Sequence, residues 1–491
     1  MSADSRGEAR WRATCVFLLL AAVVLLIARI PVMGVRVFDA DEFEHAHAAW
    51  SVSRGLLPYR DFFEHHTPWY YLALSPFFRL FAVDQSFDGA SRFLVFARGL
   101  SLALTALSAF VMFLVGRLAG NRKLGLLAAL FLVGQPAVIQ KVLEIRPDVP
   151  ALPFFLGGLW FLLRALRDDA VPAPPRLRWF LGGGLCLGAA IMCTQKMLFV
   201  LPGAFVGLGL WALAGGRQRF VARSFAVLAV VAGIAIPVAV TWIAFAAQGA
   251  GDPFIRNNFI TNAHWRLRSN RHLMFMLETS WPILVLCAVG AVVAVRRFFQ
   301  KADPRPYGDV LLLCTLGGLL AGIAVVPAAY KQYYLMPLPI ACVFAARGLS
   351  FLVEKTQERF HGPLLVGATA VLLIWPAVEL GKSFVRRDDR QAARLRYVFE
   401  HTRPEDPVLD GWLGTAVFRP HPLPYFFMHR EVLAMLSDAD LDRYLRPLES
   451  GTARPALITL DDELRALGPR FMRFLQNNYV SRDGMFYMPA R

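Results

Sequence analysis

Runs of about 20 apolar residues, parted by short arginine-rich links, recur from Cys15 to Leu380 and constrain the chain more than any motif in it. A run of that length is what an α-helix needs to cross a bilayer. Lipid offers no partner to backbone polar groups, so each segment must satisfy its own. The expected fold class is therefore an all-α polytopic membrane bundle. The balance of 56% hydrophobic against 18% charged residues over 491 positions agrees with it. A net charge of +16 would suggest nucleic acid in a chain that lacked such runs. Here the basic residues punctuate the apolar runs, as membrane topology requires, and no nucleic-acid partner is expected.

About eleven spans are expected, near residues 14–33, 92–115, 124–140, 149–166, 179–194, 197–214, 224–247, 279–295, 308–327, 332–348 and 363–381. Basic content alternates between the links, and the basic side, which carries Arg10, Arg12, Arg117, Lys123, Arg167, Arg219, Arg297 and Lys355, reads as cytoplasmic. The N-terminus then lies inside. Residues 34–91, 141–148, the Gln195/Lys196 break, 248–278, 328–331 and everything after Lys382 lie outside. The first run is longer than a signal-peptide core and lacks a small-residue cleavage pattern, so it reads as an uncleaved anchor. All six cysteines fall in or beside spans and read as packing residues, without disulfides. Residues 1–382 form the membrane part, with a first outer loop at 34–91. Residues 383–491, where mixed charge replaces the apolar runs, form a small α/β domain without a catalytic motif.

Chemistry concentrates in the outer segments. Directly behind the first run stands Phe38-Asp39-Ala40-Asp41-Glu42-Phe43-Glu44-His45. Acids at a membrane edge are costly unless they face water or act on a substrate. Asp39 and Glu42 have the spacing of a helix N-cap and its N3 partner, so both have a structural alternative. Asp41 gains only a few tenths of a kcal/mol from the helix dipole and is the strongest candidate for a catalytic acid or base. Its i, i+4 spacing to His45 allows the imidazole to orient it, or the pair to be merely solvated. Glu44 has no assigned task.

Further along, Glu64-His65-His66-Thr67-Pro68 leads into an aromatic segment suited to the interface. Adjacent His65 and His66 point apart in regular structure, as do His45 and His47, so a divalent metal is possible but not expected. Arg146 and Asp148 stand at the mouth of the fourth span. They are able to pair with each other, and Asp148 doubles as a helix-terminal acid. Lys196 and Lys331 are lone cations near span ends that either snorkel or meet a ligand. Arg256, Arg266, Arg268 and Arg271 break the charge rule on the outer side and suit phosphate, whether of a ligand or of lipid head groups.

Outer-face acids, outer-face cations and an apolar bundle fit a lipid-linked phosphate donor, with glycosyl transfer if its head group is a sugar. Cations that stabilise the leaving phosphate would then make a metal unnecessary. Asp41-Glu42, His66-Thr67-Pro68, Arg146-Pro147-Asp148, Lys196 and Tyr333-Tyr334-Leu335-Met336-Pro337, in this order and on one side, resemble the GT-C glycosyltransferases. Within them the chain is most similar to the branch that contains protein O-mannosyltransferases, the lipid A aminoarabinose transferase and lipopolysaccharide galacturonosyltransferases. The resemblance spans about residues 14–350.

The resemblance implies a GT-C-like bundle with interfacial helices in the first outer loop. It also implies a polyprenyl-phosphate sugar donor and a lipid, glycan or protein acceptor at the periplasmic face of a bacterial inner membrane. Asp41 is the implied base, with Glu42 and Asp148 as the other site acids. Lys196, Arg266, Arg268, Lys331 and Tyr333 are the expected donor-phosphate contacts, and Asp39, His45, His66 and Arg146 support the site. Thr67 stands where many members have a proline. Two other classes remain open. A transporter or lipid flippase would place its ionisable residues near mid-bilayer in broken helices, and a scaffold would have no use for Asp41.

Overall fold

The computed structural model describes residues 3–168, 175–264, 271–300, 307–385, 389–481 and 483–490. Among them, nine helices are long and apolar enough to cross a membrane. Two expected spans are shorter, Arg122–Gly134 with 13 residues and Leu177–Cys193 with 17. The run at 124–140 is broken because Pro136 lacks an N–H and forces Gln135 into an extended conformation, after which Pro136–Lys141 restarts as a separate helix. The last run splits into Glu358–Leu372 and Ile374–Val385, and the expected span at 332–348 begins only at Pro337, preceded by a 3₁₀ turn over Lys331–Leu335.

The helices Leu177–Cys193 and Gly216–Ala246 approach through Gly184, Gly188 and Gly233, where an added Cβ would meet opposing backbone. In lipid, close packing replaces the hydrophobic effect as the force joining helices. All six cysteines are free thiols. At the end of the bundle opposite the loop described next, Arg347 spends its charge on Asp309 at 2.5 Å and on the carbonyl of Ala119.

The first loop carries the helix Ala40–Ser53, the short helix Trp69–Leu74 and a 3₁₀ turn over Ser75–Leu80. After the helix Asp389–His401, the C-terminal chain builds a four-stranded sheet: β1 (Val408–Leu409), β2 (Leu457–Thr459), β3 (Tyr479–Ser481) and β4 (Phe486–Pro489), in the order β1-β2-β4-β3. β1 and β2 run parallel, and the other pairings are antiparallel. Residues 462–478 form two helices, Asp462–Arg465 and Pro469–Asn478, because Gly468 at φ +89° turns the chain between them in a conformation that side chains oppose.

This unit does not stand apart from the first loop. Val417, Phe418, Phe426 and Phe427 share one buried cluster with Phe43, Trp50, Phe62 and Phe93. Gln391 pairs with both backbone groups of Phe38, His47 Nδ1 lies 3.0 Å from the Val417 carbonyl, and the N–H of Phe63 donates to the Pro424 carbonyl. Gly414, at φ +80°, lies against the Phe43 ring so closely that no side chain fits.

Candidate active site

The site begins with a helix cap. Asp39 accepts from the N–H of Asp41 at 3.2 Å, and Glu42 reaches back to the N–H of Asp39 at 3.0 Å, so the capping pair read from the sequence is present. Starting the helix there sends Asp41, Glu44 and His45 toward one face and Glu42 toward another. Asp41, Glu44 and His45 line a cavity of about 360 Å³ with His66, Arg146, Asp148, Lys196, Lys331 and Tyr333.

Glu42 does not reach that cavity. Its carboxylate is fully buried and takes two hydrogen bonds from Arg98, at 2.6 and 2.9 Å, and one from the N–H of Ile145. Expected as a site acid, it is instead the anchor that fixes the start of the helix. His45 also departs from expectation. Its Nδ1 lies 3.0 Å from the Tyr71 hydroxyl, and it is Arg146 that holds Asp41.

Arg146 is the centre of the arrangement. Its guanidinium donates to Asp41 at 2.5 Å and Glu144 at 2.6 Å, and its Nε lies 3.6 Å from Asp148. One rigid fork thus sets the relation between the two cavity acids. Its own charge is made firmer by these carboxylates despite burial. Burial alone would raise the pKa of Asp41, but Arg146 and Lys141 outweigh it and hold the carboxyl below 3.8. Glu44 is pushed the other way, well above the ordinary value, by burial and by Glu64 and Asp41.

Both lone lysines have partners within the protein. Lys196 donates to both oxygens of Asp148, at 3.0 and 3.2 Å, and lies over the Tyr333 ring at 4.8 Å. Lys331 bonds Gln140 at 2.9 Å and lies over Phe275, while Gln140 is itself held by Glu379 in the last apolar helix. Both ammonium groups belong to cavity-lining residues. Arg266 and Arg268 lie outside the described residues.

Several lining residues carried no sequence signal. Lys141 bridges Asp39 and Glu144, and buried Glu144 also receives Arg36. Trp412, His429 and Glu431 come from the C-terminal unit, where no site residue was expected. Glu431 accepts from the Tyr330 hydroxyl and lies 2.9 Å from His429 Nδ1, which joins that unit to the loop before the 3₁₀ turn. Burial keeps the His429 imidazole neutral, with a pKa near 4. Adjacent aromatic and charged residues in a mixed-polarity tail resemble any small domain, so only docking reveals them. The cavity therefore draws on residues 39–66, 141–148, 195–196, 262, 272, 326–333 and 412–431, which places all these segments at one end of the bundle.

Chemically, the cavity offers an ionised carboxylate clamped beside a second one, with Lys141, Arg146, Lys196 and Lys331 around them. It is equipped for an anion and for accepting a proton. Residues 65–244, a little over a third of the chain, match the family model described as dolichyl-phosphate-mannose-protein mannosyltransferase. No curated protein matches the chain by sequence. In overall structure it is similar to ArnT from Cupriavidus metallidurans in the apo state, at TM-score 0.68 and 14% identity, covering 97% of this chain and 98% of that one. It is likewise similar to the same protein bound to undecaprenyl phosphate, at TM-score 0.64 and 13% identity over 96% and 97% of the two chains.

The chain has the GT-C fold. An oligosaccharyltransferase from Archaeoglobus fulgidus, tethered to an acceptor peptide, shares this GT-C fold at TM-score 0.61 and 11% identity, over 97% of this chain and 74% of that one. The segment matched by the family model holds His66, Arg146, Asp148 and Lys196 of the GT-C cavity, while Asp41 lies before it.

Proposed function

We propose that this multi-pass membrane protein is a glycosyltransferase that moves a monosaccharide from a polyprenyl-phosphate donor to an acceptor hydroxyl. The reaction takes place at the outer, periplasmic face of a bacterial inner membrane. The observation that carries the reading is Arg146, which joins the ionised Asp41 to Asp148 and Lys196 on the wall of one cavity. Asp41 accepts the proton of the acceptor hydroxyl as that oxygen attacks the anomeric carbon. The lipid phosphate leaves from the opposite face of the sugar, so the configuration inverts. Lys196 and Lys331 neutralise the departing phosphate, and Tyr333 lies beneath Lys196.

A carboxylate held below its ordinary pKa is a weak base in the ground state. It suits a displacement in which the hydroxyl becomes acidic only as its bond to carbon forms. The ArnT similar in fold binds undecaprenyl phosphate, and the archaeal oligosaccharyltransferase binds a dolichol phosphate, which supports a lipid phosphate as donor here. A lipid A or core sugar, another envelope glycan and a protein hydroxyl are all acceptors of the required chemistry.

The test is turnover by the purified chain in lipid nanodiscs, supplied with a panel of polyprenyl-phosphate hexoses and pentoses. Wild type is expected to release polyprenyl phosphate from at least one donor, and Asp41→Asn to bind that donor without consuming it. Failure of wild type to consume any donor, or consumption by the variant at the wild-type rate, overturns the proposal.

A further inference from the structure

One wall of the cavity carries Glu44, His65 and His66, which with Glu64 make a group that the transfer step as written does not use. Glu44 from the helix Ala40–Ser53 and Glu64, His65 and His66 from the loop after it each bring one ligand-type atom within 4.8 Å of all the others. In a regular helix or strand, adjacent histidines diverge. Here the chain bends at His66, and Glu64 Oε1 accepts the N–H groups of both His65 and His66, at 2.8 and 2.9 Å. The bend brings the two imidazole rings to 4.0 Å between centroids.

The spacing among these atoms is that of a coordination shell. His66 Nδ1 lies 2.9 Å from Glu64 Oε1 and 4.0 Å from Glu44 Oε1, and His65 Nδ1 lies 3.9 Å from Glu64 Oε1. Four ligands at the usual zinc distances stand about 3.3–3.5 Å apart at tetrahedral angles, so side-chain shifts of up to about 1.5 Å draw atoms that lie within 4.8 Å of one another into such a shell.

A second observation points the same way. Glu64 is completely buried, its Oε2 makes no well-formed hydrogen bond, and the Tyr71 hydroxyl that interacts with this carboxylate is shared with His45. Two buried carboxylates side by side, one with an unmatched oxygen, are costly unless a cation sits between them.

We propose that Glu44, Glu64, His65 and His66 form a binding site for one divalent first-row metal ion of the zinc class. Two imidazoles and two carboxylates suit such an ion better than magnesium or calcium, which prefer an all-oxygen shell. Each imidazole presents its Nδ1 lone pair with the proton on Nε2. With both carboxylates ionised, their two charges balance the divalent ion and the loaded site is neutral. The two backbone N–H groups on Glu64 Oε1 are the outer contacts that orient this ligand. The ion staples the loop at residues 64–66 to the helix that carries Asp41, and so fixes one wall of the cavity.

The full-length chain is purified in detergent, stripped with a chelator, dialysed against Zn(II) and assayed for metal by mass spectrometry. Separately, it is titrated with Co(II) while its visible spectrum is recorded. The expected results are about one zinc per chain, a visible ligand-field band of tetrahedral Co(II), and a melting temperature that rises with zinc. Glu64→Gln and His65→Ala are expected to weaken zinc binding by at least about tenfold. His401→Ala, exposed on the C-terminal unit, should keep the wild-type metal content. The proposal is overturned by a wild-type chain that retains no zinc and gives no Co(II) band, or by folded site variants that bind as tightly as wild type. Should the variants fail to fold, the Co(II) spectrum of wild type decides alone. None of these readings depends on sugar transfer.

Discussion

Replacing Glu42 by glutamine separates folding from chemistry at the start of the site. The Glu42 carboxylate accepts four hydrogen bonds, from Asp39 N–H, Ile145 N–H and two nitrogens of Arg98, and both partners of the ion pair are fully buried. Arg98 sends its remaining donors to the carbonyls of Met33, Arg36 and Val37, so it has no alternative carboxylate there. A glutamine turns one acceptor oxygen into a donor that faces other donors, and it leaves the guanidinium charge buried without a counter-charge. Breaking one side of such a pair costs about 3–5 kcal/mol. That is a large part of the stability of an ordinary domain, and it translates into a melting temperature lower by on the order of 5–10 °C.

The assay is thermal unfolding in detergent, followed by tryptophan fluorescence and by the surviving monodisperse fraction. Glu42→Leu combined with Arg98→Met should recover only part of the loss, because it removes both buried charges but leaves the backbone groups of Met33, Arg36, Val37, Asp39 and Ile145 without these partners. If Glu42→Gln melts within about 1 °C of wild type, Glu42 is not the anchor. Loss of turnover at unchanged stability would return it to the catalytic acids.

Asp41→Asn should melt close to wild type but lose turnover by about 10²–10⁴-fold, measured as initial rates of donor consumption. Since Arg146 and Lys141 hold Asp41 ionised below pH 3.8, the wild-type rate should show no Asp41 titration between pH 5 and 8, which a pH profile reads directly. Lys196→Met removes a charge-assisted contact of about 1.5–3 kcal/mol and should weaken donor binding about 10- to 100-fold, measured by titration with lipid phosphate. Asp410, buried beside Asp461, has its pKa raised from 3.8 to about 7. The folded chain then holds a proton that the unfolded chain releases. This contribution to stability is full below pH 3.8 and is lost as pH rises to about 7. The melting temperature of wild type should fall relative to Asp410→Asn across that window, and a rise would refute the assignment. Gly414→Ala, which forces a Cβ into the Phe43 ring at positive φ, should loosen the C-terminal unit and speed its proteolytic release.

Sequence alone determined the class of the protein, because length and apolarity of a run are local properties and a bilayer imposes both. It also singled out Asp41 as a candidate, since Asp39 and Glu42 could be matched to a helix cap by spacing and Asp41 could not. The cap itself is local, so Asp39 and Glu42 were legible as a pair. What the second role of Glu42 would be depended on Arg98, which is 56 residues away in the chain.

Only the tertiary structure decided the rest, because ion pairs and cavities are made between segments distant in sequence. Arg146 meets Asp41 across 105 residues, and Lys196 meets Asp148 across 48. His65 and His66 converge through a bend that side-chain periodicity does not encode. Trp412, His429 and Glu431 reach the cavity because Phe43 and Gly414 pack together and dock the C-terminal unit over the first loop. Apolar periodicity records which residues leave water, and it carries no record of which buried charges will face one another.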